Sequence, residues 1–250
     1  MTEAYNIDCM EYMRSLPDKA FDLAVVDPPY GGGCSQSVQV ERERERGLHG
    51  GAADWEHKER SRFGGRFDKY HISRTDGWQL VEEVSAGTTK AAGADIRHWD
   101  IAPSPEYFNE LARVSKNQII WGGNYFNLPP TRCFLIWRKL TISENFTMAM
   151  AEYAWTSFND NAKVFECAPQ DTTRFHPTQK PVSLYAWIYK RYAKHGDRIL
   201  DTHLGSGSSR IAAYDAGLDF VGCEIDKTYF DAEERRFAEH TAQMNLFLGE

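Results

Sequence analysis

Short apolar runs alternate with segments of helical spacing along much of this sequence. The run FDLAVV at residues 21–26 has the length of one buried strand. We predict a short strand or turn at residues 5–7 and then a helix that starts after Asp8, has Glu11 at the capping-box position and closes at Pro17. A helix that leads directly into a buried strand is typical of α/β proteins.

The same alternation returns after residue 100. A helix is predicted from Ser104, which is followed by proline at the first helical position. Further strands are expected at residues 118–121, 133–137, 152–156, 198–201 and 220–224, and further helices at 182–195 and 210–216. Helices separate the early strands, whereas the later ones follow one another like hairpins. We therefore predict an α/β fold with a doubly wound, mostly parallel sheet and an antiparallel edge.

Residues 31–100 interrupt this pattern. They begin with three glycines, continue with the alternating charges of residues 41–46 and contain a basic stretch at 58–69, with no periodic apolar spacing. A segment this long without a predicted element is usually a functional lid or an insertion. We therefore treat the chain as one domain, 1–250, with an insertion or lid at 31–100. The simpler alternative is that residues 41–46 form one solvated helical turn with i,i+4 charge pairs.

Composition narrows the class of protein. The chain has 250 residues, of which 42% are hydrophobic and 26% charged, as expected of a globular protein. No apolar run has the length of a membrane span, and the N-terminus lacks a basic and apolar signal region, so we expect a cytoplasmic location. The five cysteines form no C-x-x-C pair, and no metal site is predicted. The net charge of −7 excludes a basic surface over the whole protein but allows a local basic face.

The strand at residues 21–26 ends in a group of hydrogen-bond acceptors. Asp27, Pro28, Pro29 and Tyr30 follow it directly. Prolines supply no backbone donor and hold the residue before them extended, so the Asp27 carboxylate and the Pro28 carbonyl should point beyond the strand. With no cation, nucleophile or metal ligand nearby in the sequence, this cluster is suited to holding an amino group. The alternative is an ordinary turn in which Asp27 is a cap and Tyr30 packs.

A glycine-rich turn lies between two strands near the other end of the chain. The segment 198–209, RILDTHLGSGSS, precedes a helix, and Glu224 ends the next strand. Gly205 and Gly207 would let a ligand approach the backbone, and Glu224 stands where an acid can bind ribose hydroxyls. The turn lacks the third glycine of a dinucleotide motif and the lysine of a P-loop. These features favour S-adenosylmethionine, although a purely structural turn is the alternative.

The segment FHPTQKP at residues 175–181 lies just upstream of this turn. His176, Thr178 and Lys180 could be surface residues. Because they precede the glycine-rich half directly, we also consider that they meet the methionine end of the cofactor.

Taken together, these motifs resemble the β class of DNA amino-methyltransferases, whose motifs are circularly permuted. DPPY at 27–30, HPTQKP at 176–181, DTHLGSGSS at 201–209 and GCEID at 222–226 occur in the order of that family, and GGNYF at 122–126 is similar to compact members. The sequence departs from the family at Thr202–His203, where most relatives have Pro-Phe. The resemblance covers the chain apart from about residues 31–100.

The resemblance implies a permuted, Rossmann-like methyltransferase fold that uses S-adenosylmethionine. It implies that Asp27 and the Pro28 carbonyl accept the two hydrogens of adenine N6 while Tyr30 stacks on the flipped base, with Pro29 completing the catalytic motif. The residues expected to bind the cofactor are Asp8, His176, Thr178, Lys180, Asp201, His203, Gly205, Ser206, Gly207, Glu224 and Ile225.

The resemblance also implies double-stranded DNA as substrate and a homodimer. Residues 31–100, and further residues at 138–175, are the segments expected to recognise a target sequence. Three alternatives stay open at this point: methylation of cytosine N4, methylation of RNA or of a protein amide, and an inactive DNA-binding protein on the same fold. Adenine is favoured over cytosine because cytosine enzymes more often carry serine at the position of Asp27.

Overall fold

The predicted helices and strands form at or close to their expected positions in the computed structural model, which describes residues 1–31, 70–73, 77–80, 101–143, 149–169 and 174–248. Five helices are described: α1 (Cys9–Arg14), α2 (Pro105–Val114), α3 (Val182–Tyr192), α4 (Ser208–Asp215) and α5 (Lys227–Leu248). Asp8 caps α1 as predicted, accepting hydrogen bonds from the backbone of Met10 and Glu11. Helix α3 ends three residues before its predicted end, because Ala193 is extended.

Ten strands are described, and eight of them form one sheet: β1 (Thr2–Tyr5), β2 (Phe21–Val26), β5 (Ser115–Trp121), β6 (Phe134–Lys139), β7 (Ala151–Thr156), β8 (Lys163–Cys167), β9 (Arg198–Asp201) and β10 (Asp219–Cys223). The first strand therefore lies earlier than the expected 5–7. Strand β8 and helix α5 were not predicted. In β8, half-buried and exposed residues alternate, so the strand lacks a continuous apolar run.

The sheet has the order β1-β10-β9-β2-β5-β7-β6-β8. Strands β1, β10, β9, β2 and β5 are parallel, whereas β7 runs antiparallel to both β5 and β6. The outermost strand β8 returns to a parallel pairing with β6. The prediction of a mostly parallel sheet with an antiparallel side is confirmed.

Helices cover both faces of this sheet, because successive side chains of the central strands point to opposite sides. Leu23 and Val25 of β2 belong to one apolar cluster together with residues of α3 and α4. Ala24 and Val26 belong to the other, with residues of α1 and α2. Burial on both sides explains why β2 is an almost uninterrupted apolar run.

The centre of the sheet brings the two predicted functional regions to one edge. Strands β2 and β9 are parallel neighbours, with Leu23 paired with Ile199 and Ala24 with Leu200. Residues 27–30 follow β2, and the glycine-rich turn follows β9. Both therefore begin at the carboxyl edge of adjacent strands, where α/β proteins bind their ligands.

A second compact unit comprises residues 31–102 and 142–150. Within it, strands β3 (Tyr70–Ser73) and β4 (Gly77–Leu80) form an antiparallel hairpin. The predicted charged turn at 41–46 and basic stretch at 58–69 lie outside the described residues. None of the helices that the structure describes is long and apolar enough to cross a membrane.

Candidate active site

The acceptor motif forms a compact corner directly after β2. Pro28 is buried, while Asp27, Pro29 and Tyr30 are partly buried. The Tyr30 hydroxyl donates a hydrogen bond of 2.7 Å to Asp27 Oδ1. The Tyr30 ring stacks on Tyr125 with 4.8 Å between ring centroids. Tyr30 is thus held at both its ring and its hydroxyl.

The segment GGNYF provides the space for Tyr30. Gly122 follows β5 with φ of 69°, a conformation that favours glycine. A Cβ atom at this position would lie 2.1 Å from Cε1 of Tyr30. The glycine is therefore required both by the backbone and by the aromatic ring against it. The sequence predicts no contact of Gly122 or Tyr125 with Tyr30, because GGNYF enters there only as a segment similar to compact members of the family.

A cation reaches Asp27 from the distant HPTQKP segment. The ammonium of Lys180 forms an ion pair with Asp27 Oδ2, although 153 positions separate the two residues. The expectation that the acceptor cluster has no cation nearby holds only for neighbours in sequence and is wrong for the folded protein. The suggestion that Lys180 contacts the cofactor stays a prediction.

Two further charged residues, which were not predicted, continue this ion pair into the sheet. Lys180 lies 3.1 Å from Glu152 Oε2, and Lys139 lies 2.5 Å from Glu152 Oε1. In β6, Lys139 follows the buried residues Leu135 and Trp137 at two-residue spacing. A lysine in the core-facing phase of a strand is the sequence signal that could have indicated this network.

Burial and charge together set the protonation of these groups. Burial disfavours the ammonium of Lys180, but the carboxylates of Asp27 and Glu152 outweigh it, so the pKa of Lys180 is raised. Burial also opposes the charge of Glu152, yet Lys180 and Lys139 lower its pKa to about 2. For Asp27, burial raises the pKa against the effect of Lys180, which makes it a stronger base than an aspartate in water.

The glycine-rich turn after β9 is built around Glu224. Gly205 N–H donates a 2.8 Å hydrogen bond to Glu224 Oε2, and Asp226 N–H donates one of 2.9 Å to Oε1. Each carboxylate oxygen has further accepting capacity. Burial raises the pKa of Glu224, opposed by these backbone donors. Glu224 therefore links the turn to the end of β10.

His176 lies over the same turn. A Cβ on Gly205, whose φ is 54°, would approach Cε1 of the His176 ring to 3.2 Å. Thr178 is exposed, and its Oγ1 lies 3.2 Å from His176 Nδ1. Burial and the positive charges of Arg174 and Lys180 lower the pKa of His176 to about 4, so its ring is neutral. The structure thus joins the HPTQKP segment to both the acceptor motif and the glycine-rich turn.

Asp201 fixes the start of the turn. Its Oδ2 accepts a hydrogen bond of 2.5 Å from Ser209 Oγ, and its Oδ1 accepts one of 3.0 Å from His203 N–H. Burial raises the pKa of Asp201 to about 7. Ser206 Oγ lies 3.2 Å from Ser208 Oγ. Asp201 therefore holds the backbone of the turn in place.

The unusual Thr202–His203 pair has a buried polar partner in α2. The Tyr107 hydroxyl lies 2.6 Å from Thr202 Oγ1, which lies 3.0 Å from His203 Nδ1. Burial lowers the pKa of His203 to about 4, opposed by the carboxylate of Asp8. The Tyr107 hydroxyl thus provides a hydrogen-bond partner for the polar Thr202–His203 pair, which stands where most relatives have Pro-Phe.

The remaining predicted residues lie at the exposed rim of this region. Asp8 caps α1, and Ile225 is 59% exposed. Asn6 Nδ2 donates hydrogen bonds to the carbonyls of Glu224 and Ile225, which ties the end of β1 to the end of β10. Asp8 and Ile225 therefore belong to the edge of the sheet that carries Glu224.

Two known proteins similar to this chain are named Type II methyltransferases. The Type II methyltransferase M2.MboI of Moraxella bovis is 21% identical over 263 residues, which cover 95% of this chain and 88% of that protein. M2.DpnII of Streptococcus pneumoniae is 39% identical over 61 residues, 24% of this chain and 23% of that protein.

Solved structures share the fold. The complex of M1.HpyAVI with SAM matches with a TM-score of 0.50 at 16% identity, covering 94% of this chain and all of the other. The PvuII cytosine-N4-specific DNA methyltransferase matches with a TM-score of 0.51 at 11% identity, covering 100% and 95%. The sequence profile of the N6_N4_Mtase family, described as DNA methylase, matches residues 97–235. More than half of the chain therefore matches one family, and the chain belongs to the N6/N4 DNA methylases.

Proposed function

We propose that this chain is a site-specific DNA methyltransferase that transfers a methyl group from S-adenosylmethionine to adenine N6 of a base flipped out of duplex DNA. The observation that carries the proposal is the pairing of β2 with β9. This pairing places the amino-acceptor motif and the glycine-rich turn at the carboxyl ends of adjacent parallel strands. An amino group held by Asp27 would thus lie beside a cofactor held by the turn.

Asp27 and Pro28 would activate the amino group. The lone pair of adenine N6 is delocalised into the ring, so the nitrogen becomes nucleophilic only when it rehybridises. In the proposed complex the Asp27 carboxylate accepts one N6 hydrogen and the Pro28 carbonyl accepts the other, which favours the rehybridised nitrogen. As the N–C bond forms, positive charge grows on nitrogen next to the Asp27 carboxylate. Asp27 can then accept the proton that the methylated nitrogen releases.

Tyr30 would change partners when the base arrives. Its hydroxyl donates to Asp27 Oδ1, the oxygen that Lys180 leaves open. An incoming amino group would compete for this oxygen, and the Tyr30 ring would stack on the flipped base. We therefore propose that Tyr30 holds Asp27 in place until the substrate amino group takes over.

The residues around the glycine-rich turn fit a nucleoside cofactor. Glu224 is buried, and its oxygens retain accepting capacity for ribose hydroxyls beyond their two backbone donors. His176 lies against Gly205, and Thr178 lies against His176, so we propose that the amino-acid end of the cofactor binds beside these two side chains. When bound, S-adenosylmethionine supplies an electrophilic methyl group on a positively charged sulfur. The remaining predicted contacts are the rim residues Asp8 and Ile225, the partly buried His203, and the turn residues Asp201, Ser206 and Gly207.

Methylation of cytosine N4 is the second candidate function. It uses the same acceptor chemistry on another amino group, and the family that the chain belongs to includes both specificities by name. We favour adenine because the motif begins with Asp27 rather than serine. Duplex DNA as partner, a homodimer and action in the cytoplasm complete the proposal, with residues 31–100 and 138–175 as the segments that recognise the target.

The proposal is tested by incubating the full chain with S-adenosylmethionine and unmethylated bacterial DNA and identifying the modified nucleoside by mass spectrometry. We expect N6-methyladenine. Asp27→Ala is the matched control and should lose transfer by at least about a hundredfold while binding the cofactor almost as tightly. N4-methylcytosine would overturn only the choice of base. Cofactor binding without any methylated nucleoside in DNA would overturn the proposed function.

A further inference from the structure

Four charged side chains of alternating sign form one continuous chain beneath the acceptor motif. Lys139 pairs with Glu152, Glu152 with Lys180, and Lys180 with Asp27. Their side chains are only 7%, 22%, 3% and 12% exposed, in that order. Two acids and two bases give no net charge. The chain of ion pairs starts in β6 and ends at the residue proposed to hold the substrate amino group.

Aromatic rings form much of the surroundings of the two lysines. Lys180 Nζ lies 5.4 Å from the centroid of the buried Trp121 ring, and Lys139 Nζ lies 5.1 Å from that of Trp137. Trp137 also pairs with Glu152 in the register of β6 and β7. Charges in such a weakly polar region interact strongly, and removing one partner leaves the next charge uncompensated. The protonation of Lys180 thus depends on both carboxylates.

Glu152 and Lys139 do not touch the acceptor oxygens. Glu152 contacts the ammonium of Lys180, and Lys139 contacts Glu152. Through space, the charge of Glu152 also repels the Asp27 carboxylate and raises its pKa. Among the described residues, the titratable groups that interact with Lys180 or Asp27, directly or through Glu152, come from six regions: Asp27 and Tyr30 after β2, Lys139 in β6, Glu152 in β7, His176 in the HPTQKP segment, Tyr185 in α3 and Asp201 in β9. Of these, Glu152 is the second carboxylate that compensates the charge of Lys180.

We infer that Glu152, held by Lys139, is a positioning residue that keeps the Lys180 ammonium charged and in contact with Asp27, so that the Asp27 carboxylate stays correctly oriented as an acceptor. This inference rests on the proposed function. Without Glu152, a buried Lys180 has one carboxylate instead of two and loses its proton more easily. A neutral Lys180 no longer stabilises the Asp27 carboxylate, and its amino group can rotate out of contact with Asp27.

The pH dependence of the methylation rate distinguishes a positioning role of Glu152 from a purely structural one. A structural defect lowers the rate by the same factor at every pH. Loss of the positioning role adds a decline at high pH, where Lys180 becomes neutral in the variant but stays charged in the wild type. The expected change is a descending limb that lies at least about one pH unit lower.

The experiment compares Glu152→Gln with wild type in two measurements on the full chain. The first is the single-turnover rate of DNA methylation at saturating cofactor, from about pH 6 to about pH 10.5, a range that reaches the ordinary pKa of lysine. The second is NMR titration of isotopically labelled lysines, with Lys180→Arg used to assign the Lys180 signal. Glu106→Gln is the matched control, because Glu106 also forms an ion pair, with Arg14, but is 61% exposed and lies outside the proposed recognition segments.

We expect Glu152→Gln to lower the pKa of Lys180 in the NMR titration. At the alkaline end of the profile, the methylation rate of this variant should be about tenfold below its plateau. Glu106→Gln should change neither measurement. The double variant Lys139→Met with Glu152→Gln removes both members of the supporting pair without leaving a buried charge alone. It should fold and reproduce the alkaline decline.

An unchanged Lys180 titration in Glu152→Gln and in the double variant would overturn the inference. So would a shifted titration combined with rate profiles that run parallel to wild type. If the wild type methylates no DNA, the proposed function fails and the catalytic role of Glu152 fails with it. The NMR titration then still reports separately whether the ion-pair chain exists.

Discussion

Lys180 is ion-paired with Asp27 even though the two residues lie 153 positions apart. The pair joins the HPTQKP segment to the end of β2 and leaves Asp27 Oδ1 to the Tyr30 hydroxyl. The two oxygens of the carboxylate therefore have different partners, one a fixed cation and the other a hydroxyl that can be replaced. This division is what the proposed acceptor role requires.

Replacing Lys180 by methionine should raise the pKa of Asp27 further. Burial and the remaining charge of Glu152 both disfavour the ionised form, and the cation that opposes them is gone. We expect the acid limb of the methylation rate to move to higher pH, with a loss of at least about tenfold near pH 7. Measuring rate against pH at saturating cofactor checks this. Lys116→Met, which removes a more exposed ion pair with Asp22 outside the proposed recognition segments, is the control.

The same variant also tests the predicted contact of Lys180 with the cofactor. If Lys180 acts only through Asp27, the dissociation constant of S-adenosylmethionine, measured by calorimetry, should change less than about twofold. A large loss of affinity with an unshifted pH profile would place the lysine at the cofactor instead.

Glu224→Gln should weaken cofactor binding while leaving the maximal rate of transfer nearly intact. The glutamine can accept one backbone hydrogen bond through its oxygen, but its amide nitrogen then faces an N–H donor. We expect about a tenfold or greater rise in the dissociation constant, because hydrogen bonds to charged groups contribute about 1.5–3 kcal/mol. A defect in turnover that persists at saturating cofactor would contradict the ribose role.

Gly122→Ala should disturb Tyr30, because the added methyl group would lie 2.1 Å from its ring. Gly217→Ala is a matched control, since Gly217 has a similar φ of 66° and no described atom would lie within 4 Å of its Cβ. Both variants carry a backbone cost of about 1 kcal/mol. We expect only Gly122→Ala to lose additional stability in thermal unfolding and to lower the methylation rate. Equal effects of the two variants would show that Tyr30 relaxes without consequence.

His203→Phe should make the protein less sensitive to acid. The folded protein lowers the pKa of His203 to about 4, so between about pH 6.5 and 4 the unfolded chain binds a proton that the folded chain does not. Wild-type stability should therefore fall through this range by up to about 3 kcal/mol from this residue. The free energy of unfolding, measured in urea at several pH values, should fall less for the variant than for wild type as the pH is lowered. Substitution of the exposed His195 is the control.

Much of the fold could be predicted because its signals are local. The apolar run of β2, the cap of α1 by Asp8 and the proline that starts α2 each depend on neighbouring residues. The family and the α/β class are confirmed. The roles assigned to individual site residues stay predictions, but the structure does bring Tyr30 to Asp27 and His176 to Gly205.

The support for Asp27 could not be predicted, since it depends on which strands pair. Lys139 and Glu152 meet because β6 and β7 are antiparallel in one register, and Lys180 reaches both acids from a segment outside the sheet. A shift of one residue would turn these side chains to the opposite face. The unpredicted β8 has the same origin, because pairing with β6 makes it a strand despite its mixed pattern.

The position of β1 has a consequence for how the protein is made. This strand is synthesised before the other strands of the sheet, yet its partner is β10, with Thr2 opposite Phe220 and Tyr5 opposite Cys223. Strand β2 likewise can pair with β9 only after residues 198–201 have been synthesised. The half of the sheet that carries the glycine-rich turn can therefore assemble only when the chain has left the ribosome as far as Cys223. Such distant pairing favours slow folding and makes the nascent chain depend on protection from aggregation until its last strand emerges.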